Sequence, residues 1–335
     1  MPVPNARFTE LLADIEPSAT TRSRASGGHT GVRDHLEKQA KFKDCYVTSF
    51  LSGSYARDTS IRPHTTEDGQ ERPDVDIIIV TNHETSDHPD AVLKELCRAL
   101  EDGGNGYAVE RINKRSVRVE TWQAEMDVVP VVATWNGYMI PDRENGTWKF
   151  TNPPIHTKWS GDQNTTFDGR FKPLVKLFKW WRRVNWSGRR PKGFVLEVLV
   201  GRHAPADETH YGAAFAQLLS NIHTAYGALA VLDRKPFIAD PADPSNDILS
   251  KVSVAQWKDF VEKVRVYADI ARRAQAATDM EEATRQWRRV FGDRFKSTAN
   301  VAKAATSGIF ATAPTQAGYT FPNTDATPKT PRGFA

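Results

Sequence analysis

The spacing of hydrophobic positions changes near the middle of the chain. Within residues 46–151, apolar residues alternate with polar ones or form short runs, as in YVTSFL, DVDIIIV and AEMDVVPVVATW. This spacing predicts β-strands, because successive strand residues point to opposite faces of a sheet. After about residue 152 apolar residues recur every three or four positions, which predicts helices. We therefore expect an α+β protein with a helical second half.

The segments outside these two regions predict less structure. A short helix is expected over residues 5–15 and another over about 31–43. The stretch between them, SATTRSRASGGHTG, is polar and glycine-containing, so it is expected to be a loop. Asp90 is expected to cap the helix AVLKELCRALE. From about residue 304 the chain is rich in Thr, Pro, Gly and Ala without periodicity, which is typical of a flexible tail. The predicted parts are a core (1–155), a helical lobe (156–303) and a tail (304–335).

The composition excludes several classes of protein. The chain has 335 residues, 39% of them hydrophobic, and a net charge of +4. This charge is mild for the length and does not indicate a nucleic-acid coat protein. A basic cluster within residues 182–192 could bind nucleic acid, but a solvated helix end is the more ordinary interpretation. A nucleic acid is therefore not expected as the substrate.

The cysteines and the N-terminus indicate a compartment. The two cysteines, Cys45 and Cys97, imply no disulfide framework and are expected to be reduced thiols. We find no basic segment followed by an apolar one, as in a signal peptide, and no run near the roughly 20 apolar residues of a membrane span. The expectation is a cytoplasmic protein without membrane association.

Three aspartates at the starts of β-prone runs carry the candidate chemistry. Asp74 and Asp76 are two apart in DVDIIIV, so their side chains share a face of the strand. Like charges held that close repel each other unless a cation lies between them. Asp127 lies in a second such run, EMDVVPVV. An isolated Asp-x-Asp pair would more often be an ordinary strand end. Three carboxylates on neighbouring strands instead predict two Mg²⁺ ions that stabilise the attacking and leaving oxygens of a phosphoryl transfer.

The turn before these aspartates is a candidate phosphate site. Glycine at position 53 lets the backbone approach a ligand closely, and the hydroxyl of Ser54 can donate to a phosphate oxygen. An ordinary strand-to-helix turn would suit the same two residues. Arg57 could contact phosphate or brace the loop, and the sequence does not decide between these roles.

Together these motifs resemble the DNA polymerase β-type nucleotidyltransferases. The closer resemblance is to the CD-NTases, bacterial relatives of cyclic GMP–AMP synthase found in CBASS antiphage systems, and within them to clade D. It covers nearly the whole chain and rests on the segments GSYARDTSIRP, DVDIIIV, KLFKWWRRVN, PKGFVLEVL and ADPADPSND. The polar insert between Ser54 and Asp74 is longer than the compact superfamily pattern. Because longer loops cost little extra closure entropy, the site is expected to survive the insertion.

The resemblance implies a fold and a set of site residues. The fold would be a polymerase β-like mixed sheet with a helical C-terminal lobe. Asp74 and Asp76 would bind both metal ions (Mg²⁺, or Mn²⁺ in its place), and Asp127 would complete the one that activates the attacking hydroxyl. Lys179, with Lys176 as a helper, would bind the triphosphate of the donor nucleotide, although a basic helix face in water is the alternative. Phe194 would stack on a nucleobase, with core packing as its alternative.

The implied function is Mg-dependent synthesis of a cyclic di- or trinucleotide that contains adenine, from NTPs with ATP among them, in antiphage defence. Accessory CBASS proteins would be partners. The tail TPKTPRGFA resembles substrates of ubiquitin-conjugation-like ligases, with Ala335 as the attachment residue, or it has no role. Two other functions stay open at this point. One is transfer of a nucleotide to an RNA or small-molecule acceptor, and the other is a non-catalytic nucleotide sensor.

Overall fold

The computed structural model describes residues 3–65, 67, 69, 72–104, 106–188 and 190–298. The described residues separate into two units. The sheet unit consists of residues 17–159, and the helical unit consists of residues 3–16 and 160–298.

The strands predicted from alternation form one mixed sheet of seven strands in the sheet unit. Its order is β1-β2-β5-β4-β3, and β6 pairs with both β5 and β7. The pair β2–β5 is parallel, whereas the other pairs are antiparallel. The predicted α+β class with a mixed sheet is therefore confirmed. The strands are β1 Tyr46–Ser52, β2 Asp74–Thr81, β3 Val109–Ile112, β4 Val117–Glu120, β5 Glu125–Thr134, β6 Gly137–Asp142 and β7 Thr147–Thr151.

Each face of this sheet has its own apolar cluster, because strand side chains alternate. Val75 and Ile77 of β2 pack with Met126 of β5 in a cluster that includes residues of the helices Ala19–Lys38 (α2) and Pro89–Glu101 (α4). Ile78 of β2 and Val129 of β5 belong to the cluster on the other face. The alternation therefore places the aspartates of β2 and β5 on this second face.

The loop predicted over residues 18–31 is wrong, because this segment is most of helix α2. Ser18 caps the helix, and its Oγ accepts a hydrogen bond from the backbone N–H of Thr21 at 3.1 Å. In this segment the buried positions include the small residues Thr21, Ala25 and Gly28. A Cβ at Gly28 would lie 3.4 Å from Cβ of Ala124, so the glycine allows the helix a close approach to the chain just before β5. Packing of small residues therefore outweighs the low helix propensity of glycine.

The cap predicted for α4 is also wrong by two residues. The helix begins at Pro89, and Nδ1 of His88 accepts from the backbone N–H of Asp90 at 3.3 Å. Proline suits the first helical position because its missing N–H would have no helical partner there. Asp90 instead pairs with Lys94 at 2.7 Å and with Arg143 at 2.8 Å.

The helical unit is built around aromatic side chains. Phe178 and Trp181 are almost fully buried, as is Phe260, and the first two stack on each other. A small hairpin lies in the ADPADPSND segment, where Asp240 accepts a hydrogen bond from the N–H of Ala242 at 2.9 Å. The elements of this half are α1 Asn5–Ile15, α6 Phe171–Asn185, α7 Gly193–His203, α8 Tyr211–Val231, α9 Val254–Ala276 and α10 Met280–Phe291, with β8 Ala239–Asp240 and β9 Asp243–Asp247. Two further helices are the short α3 Gly53–Ala56 and α5 Pro153–Thr166.

Two expectations concern the C-terminal tail and membrane association. The predicted tail and Ala335 lie outside the described residues, so both stay predictions. Among the described helices, none combines the length and the apolar character needed to cross a membrane.

Candidate active site

The three predicted aspartates come together on one face of the sheet. In the parallel pair β2–β5, Asp76 is the register partner of Asp127. Asp74 lies two residues before Asp76 on the same face. Its side chain is 64% exposed, whereas that of Asp127 is 24% exposed. The register therefore produces the carboxylate cluster that the sequence could only suggest.

Gly53 lies directly against Asp76. Ser52, the last residue of β1, is the register partner of Asp76, and the chain turns immediately afterwards with a φ of 69° at Gly53. A Cβ at this position would lie only 1.8 Å from Oδ2 of Asp76. Glycine is required here for two reasons, since the backbone is left-handed and the carboxylate occupies the space of a side chain.

Ser54 is the second residue of the short helix α3. Its Oγ accepts a hydrogen bond from Oγ of Ser60 at 3.1 Å, and its backbone oxygen accepts from the N–H of Thr59 at 2.9 Å. These bonds hold the turn in shape while the side chain stays partly exposed. Phosphate binding by Gly53 and Ser54 stays a prediction.

The surroundings of Asp76 disfavour its charged form. Burial raises the pKa of this carboxyl to about 7, and the negative charges of Asp74 and Asp127 act in the same direction. The guanidinium groups of Arg57 and Arg118 oppose the shift without cancelling it. This face of the sheet therefore has an excess of negative charge that a bound cation would relieve.

Arg118 is a member of the site that the sequence reasoning missed. It lies on β4, in register with Asp127. Its Nη1 donates to Oδ1 of Asp74 at 2.8 Å and to Oδ2 of Asp127 at 2.9 Å, and its Nη2 donates to Glu125. Although burial opposes the charge, the neighbouring carboxylates Asp74 and Asp127 raise the pKa of Arg118. In this conformation, the arginine supplies positive charge between two of the aspartates.

Two neutral donors fix the other oxygen of Asp127. Nδ2 of Asn113 donates to Oδ1 at 3.0 Å, and Oγ of Ser116 donates to the same atom at 2.9 Å. The only sequence signal for these contacts is a polar stretch beside the strand SVRVE. It could not be interpreted before the neighbour of β5 was known.

The donor set fits a divalent metal ion that prefers oxygen ligands. Three carboxylates offer hard oxygens on one face, and their mutual repulsion is seen in the raised pKa of Asp76. In this conformation Nη1 of Arg118 lies between Asp74 and Asp127 and donates to both carboxylates. Metal binding would therefore require Arg118 to give up at least part of its contact.

Comparison with known proteins identifies the family. The model for the Second Messenger Oligonucleotide or Dinucleotide Synthetase domain matches residues 1–164. A cyclic AMP-AMP-AMP synthase of Acinetobacter sp. is 44% identical, over 98% of this chain and 97% of that protein. The chain belongs to the CD-NTase family. It is a nucleotidyltransferase that makes a cyclic oligonucleotide from nucleoside triphosphates.

Two more distant comparisons agree with this family. A cyclic AMP-AMP-GMP synthase of Enterobacter hormaechei subsp. hoffmannii is 26% identical, over 86% of this chain and 91% of that protein. The solved structure of the E. coli protein CdnC with ATP has a TM-score of 0.69 at 16% identity, covering 88% of this chain and 99% of that one. At this identity the structural likeness establishes the CD-NTase fold alone.

In the helical unit of this CD-NTase, the two predicted phosphate-binding lysines are buried. Lys176 and Lys179 are each 5% exposed, so the alternative of a basic helix face in water is wrong. Nζ of Lys176 donates to Glu16 at 2.9 Å, and Nζ of Lys179 donates to Glu197 at 2.8 Å. Both ammonium groups are therefore held by carboxylates in this conformation, and their roles toward a triphosphate stay predictions.

Phe194 directly follows Gly193, which lies near Lys179. It is the second residue of α7 and is partly buried. The first residue of that helix, Gly193, contacts the lysine, since a Cβ there would lie 3.2 Å from Cε of Lys179. The chain position next to Phe194 is therefore near Lys179. Stacking of Phe194 on a base stays a prediction.

Proposed function

We propose that this CD-NTase makes a cyclic AMP-AMP-AMP trinucleotide from three ATP molecules and releases three pyrophosphates. The observation that supports this product is the 44% identity, over nearly the full length of both chains, with a protein named as a cyclic AMP-AMP-AMP synthase. The carboxylate face of Asp74, Asp76 and Asp127 supports the chemistry.

Asp74 and Asp76 would hold two divalent cations, Mg²⁺ or Mn²⁺, with Asp127 sharing one of them. When bound, such cations neutralise phosphate charge and lower the pKa of an attacking hydroxyl. Gly53 supports this role because its missing side chain leaves room for the Asp76 carboxylate. Arg118 would release Asp74 and Asp127 when the bound cations compensate the negative charges of these carboxylates.

Asp127 would orient the attacking hydroxyl and accept its proton. Asn113 and Ser116 already donate to Oδ1, so Oδ2 is the atom with the freer geometry once Arg118 withdraws. We therefore assign proton acceptance to Oδ2 of Asp127. The neutral donors on Oδ1 keep the carboxylate turned in one direction during successive rounds of bond formation.

The remaining predicted residues would bind the donor nucleotide. Ser54 would donate its hydroxyl to a β- or γ-phosphate oxygen. Lys179, helped by Lys176, would bind the triphosphate after exchanging its carboxylate partner for phosphate oxygens. Phe194 would stack on adenine, an interaction worth about 1–3 kcal/mol per base.

Product analysis tests this proposal. The full-length protein is incubated with Mg²⁺ and ATP alone, and separately with all four labelled NTPs, without primer or acceptor. We expect a phosphatase-resistant product with the mass of a cyclic trimer of AMP. Incorporation of another base, a cyclic dinucleotide, or strict dependence on an added acceptor would contradict it.

Two variants locate the chemistry. Asp76→Asn should abolish synthesis because it removes a carboxylate from the centre of the cluster. Asp207→Asn is the matched control, since it removes an exposed carboxylate of the helical unit. Retained synthesis in Asp76→Asn, with the fold intact by circular dichroism, would remove the site assignment.

The defence role and the tail modification rest on the family resemblance alone. We propose a role in CBASS antiphage defence, with a ubiquitin-conjugation-like ligase acting on Ala335. Phage challenge of cells carrying the complete operon tests the first, with Asp76→Asn as the control. Mass spectrometry of the C-terminal peptide tests the second, and a free Ala335 carboxylate in cells that contain the neighbouring ligase would contradict it.

A further inference from the structure

A second cluster of metal-binding side chains lies on the sheet unit. Cys45 immediately precedes β1, His83 follows the end of β2, and Glu95 projects from α4. The thiol of Cys45 donates to Oε1 of Glu95 at 3.2 Å, and Nε2 of His83 lies 3.2 Å from Oε2. One ligand atom from each residue can be chosen so that all three lie within 4.8 Å of one another.

This cluster is separate from the carboxylate face. In the antiparallel pair β1–β2, Tyr46 pairs with Thr81 at the end beside the cluster, whereas Ser52 pairs with Asp76 at the other end. Six residue steps of about 3.4 Å each separate the two ends, or roughly 20 Å along the strands. A ligand held by the cluster would therefore not share a residue with the active site.

We propose that Cys45, His83 and Glu95 bind one Zn²⁺ ion, with a water molecule in the fourth position. A thiolate, an imidazole and a carboxylate are the three ligand types that zinc takes in proteins. The thiolate and the carboxylate carry one negative charge each, so the site with neutral His83 is neutral overall. Binding releases the proton of the Cys45 thiol to solvent.

The metal-free geometry is close to what zinc needs. Bond lengths of about 2.0–2.3 Å in a tetrahedral site place neighbouring ligand atoms about 3.3–3.7 Å apart. Sγ of Cys45 lies 3.2 Å from Oε1 of Glu95 and Nε2 of His83 lies 3.2 Å from Oε2, with all three ligand atoms within 4.8 Å of one another. Binding would therefore draw the ligand atoms together by about 1.5 Å at most. In the metal-free state the same atoms satisfy each other by hydrogen bonds, which keeps the ligands in place.

The chain segments that carry the ligands are held independently of a metal. The N–H of Asn82 donates to the backbone oxygen of Cys45 at 3.0 Å, and its side chain donates to the oxygen of Asp44 at 2.8 Å. The side chain of Glu95 is 40% exposed, so an ion can reach this carboxylate from solvent. The bound ion would therefore link the start of β1, the end of β2 and α4.

The ligand types distinguish this site from the aspartate cluster. Mg²⁺ prefers oxygen ligands and binds thiolates poorly, whereas Zn²⁺ and Co²⁺ accept sulfur and nitrogen. Co²⁺ can therefore report on the proposed site through a thiolate-to-cobalt charge-transfer band, which an all-carboxylate site cannot produce. A readout of this kind does not depend on nucleotide synthesis.

The experiment is a titration of the reduced full-length protein with Co²⁺, followed by displacement with Zn²⁺. We expect a charge-transfer band that saturates at one equivalent and disappears when Zn²⁺ is added. Cys45→Ser should abolish the band, and His83→Gln should weaken binding by at least tenfold. Cys97→Ser is the matched control, because Cys97 also lies near a carboxylate, Glu101, at 3.7 Å.

Thermal unfolding gives a second, independent measurement. Zn²⁺ should raise the midpoint of the wild type and of Cys97→Ser but not that of Cys45→Ser, because binding to the folded state alone stabilises it. Circular dichroism without metal checks that each variant is folded. Absence of the band in folded wild type, or a band that depends on Cys97 or is unaffected in His83→Gln, would overturn the proposal.

Discussion

Replacement of Gly53 by alanine tests most directly how the site is built. A Cβ at this position would lie 1.8 Å from Oδ2 of Asp76, whereas Cβ contacts below 3.0 Å essentially never occur. The carboxylate or the turn must therefore shift by about 1.2 Å. The φ of 69° adds a backbone cost of about 1–2 kcal/mol for a residue with a side chain.

The two effects should be seen in different measurements. A displacement of about 1 Å at a reacting group can reduce a rate by 100-fold, equivalent to about 2.7 kcal/mol in the activation barrier. We therefore expect Gly53→Ala to make cyclic product at least 100-fold more slowly at saturating ATP and Mg²⁺. Its free energy of unfolding in urea should fall by only the backbone cost and any strain that remains after the shift.

Gly169→Ala is the matched control for backbone strain. Gly169 has a φ of 81°, and a Cβ there would meet nothing within 4 Å. This variant should lose about 1–2 kcal/mol of stability through the same backbone effect but keep its rate of synthesis. If Gly53→Ala retains a wild-type rate, or if Gly169→Ala loses as much activity, the contact with Asp76 does not position the catalytic carboxylate.

Three further variants test charges that the structure places. Lys179→Met should destabilise the protein by roughly 3–5 kcal/mol, because the buried Glu197 loses a cation, and the double variant with Glu197→Met should recover much of it in urea unfolding. If Lys179 also binds triphosphate, the recovered double variant will remain inactive, whereas wild-type synthesis by it would exclude that role. Arg118→Met should lower the Mg²⁺ concentration for half-maximal rate, and an unchanged Mg²⁺ dependence would refute its competition with metal. Burial alone would raise the pKa of Asp142, but hydrogen bonds from Lys114 and its neighbours hold it well below its usual range. The stabilisation is therefore present above the unfolded-state pKa of about 3.9 and is lost as the pH falls below it, so Asp142→Asn should be most destabilising above about pH 5 and converge with wild type in acid.

The two buried lysine–carboxylate pairs raise the question of whether these lysines serve stability or nucleotide binding. Lys176 and Lys179 are buried against carboxylates within the helical unit. A buried ion pair is weak evidence for stability, since two apolar residues of similar volume often do as well. Stability alone therefore does not account for a buried Lys179, which supports the nucleotide-binding role that we propose for it.

Local periodicity was enough to predict the strands and the shared face of two aspartates of the candidate site. Alternation predicted β1, β2 and β5, and the same two-residue period placed Asp74 and Asp76 on one face. The turn at Gly53 and Ser54 and the Asp-x-Asp strand were sufficient to indicate the family only together with the segments KLFKWWRRVN and PKGFVLEVL. These features were accessible because each depends on residues that are close in sequence.

The tertiary structure decided what depends on neighbours distant in sequence. The register of β2 with β5 pairs Asp76 with Asp127, and the register of β4 with β5 brings in Arg118. Helix α2 forms in a polar, glycine-containing segment because Ala25, Val32 and Leu36 are buried in the apolar cluster on one face of the sheet. Strand order and close packing leave almost no local sequence signal, so only the folded chain shows which charges meet and which of them a metal ion would have to replace.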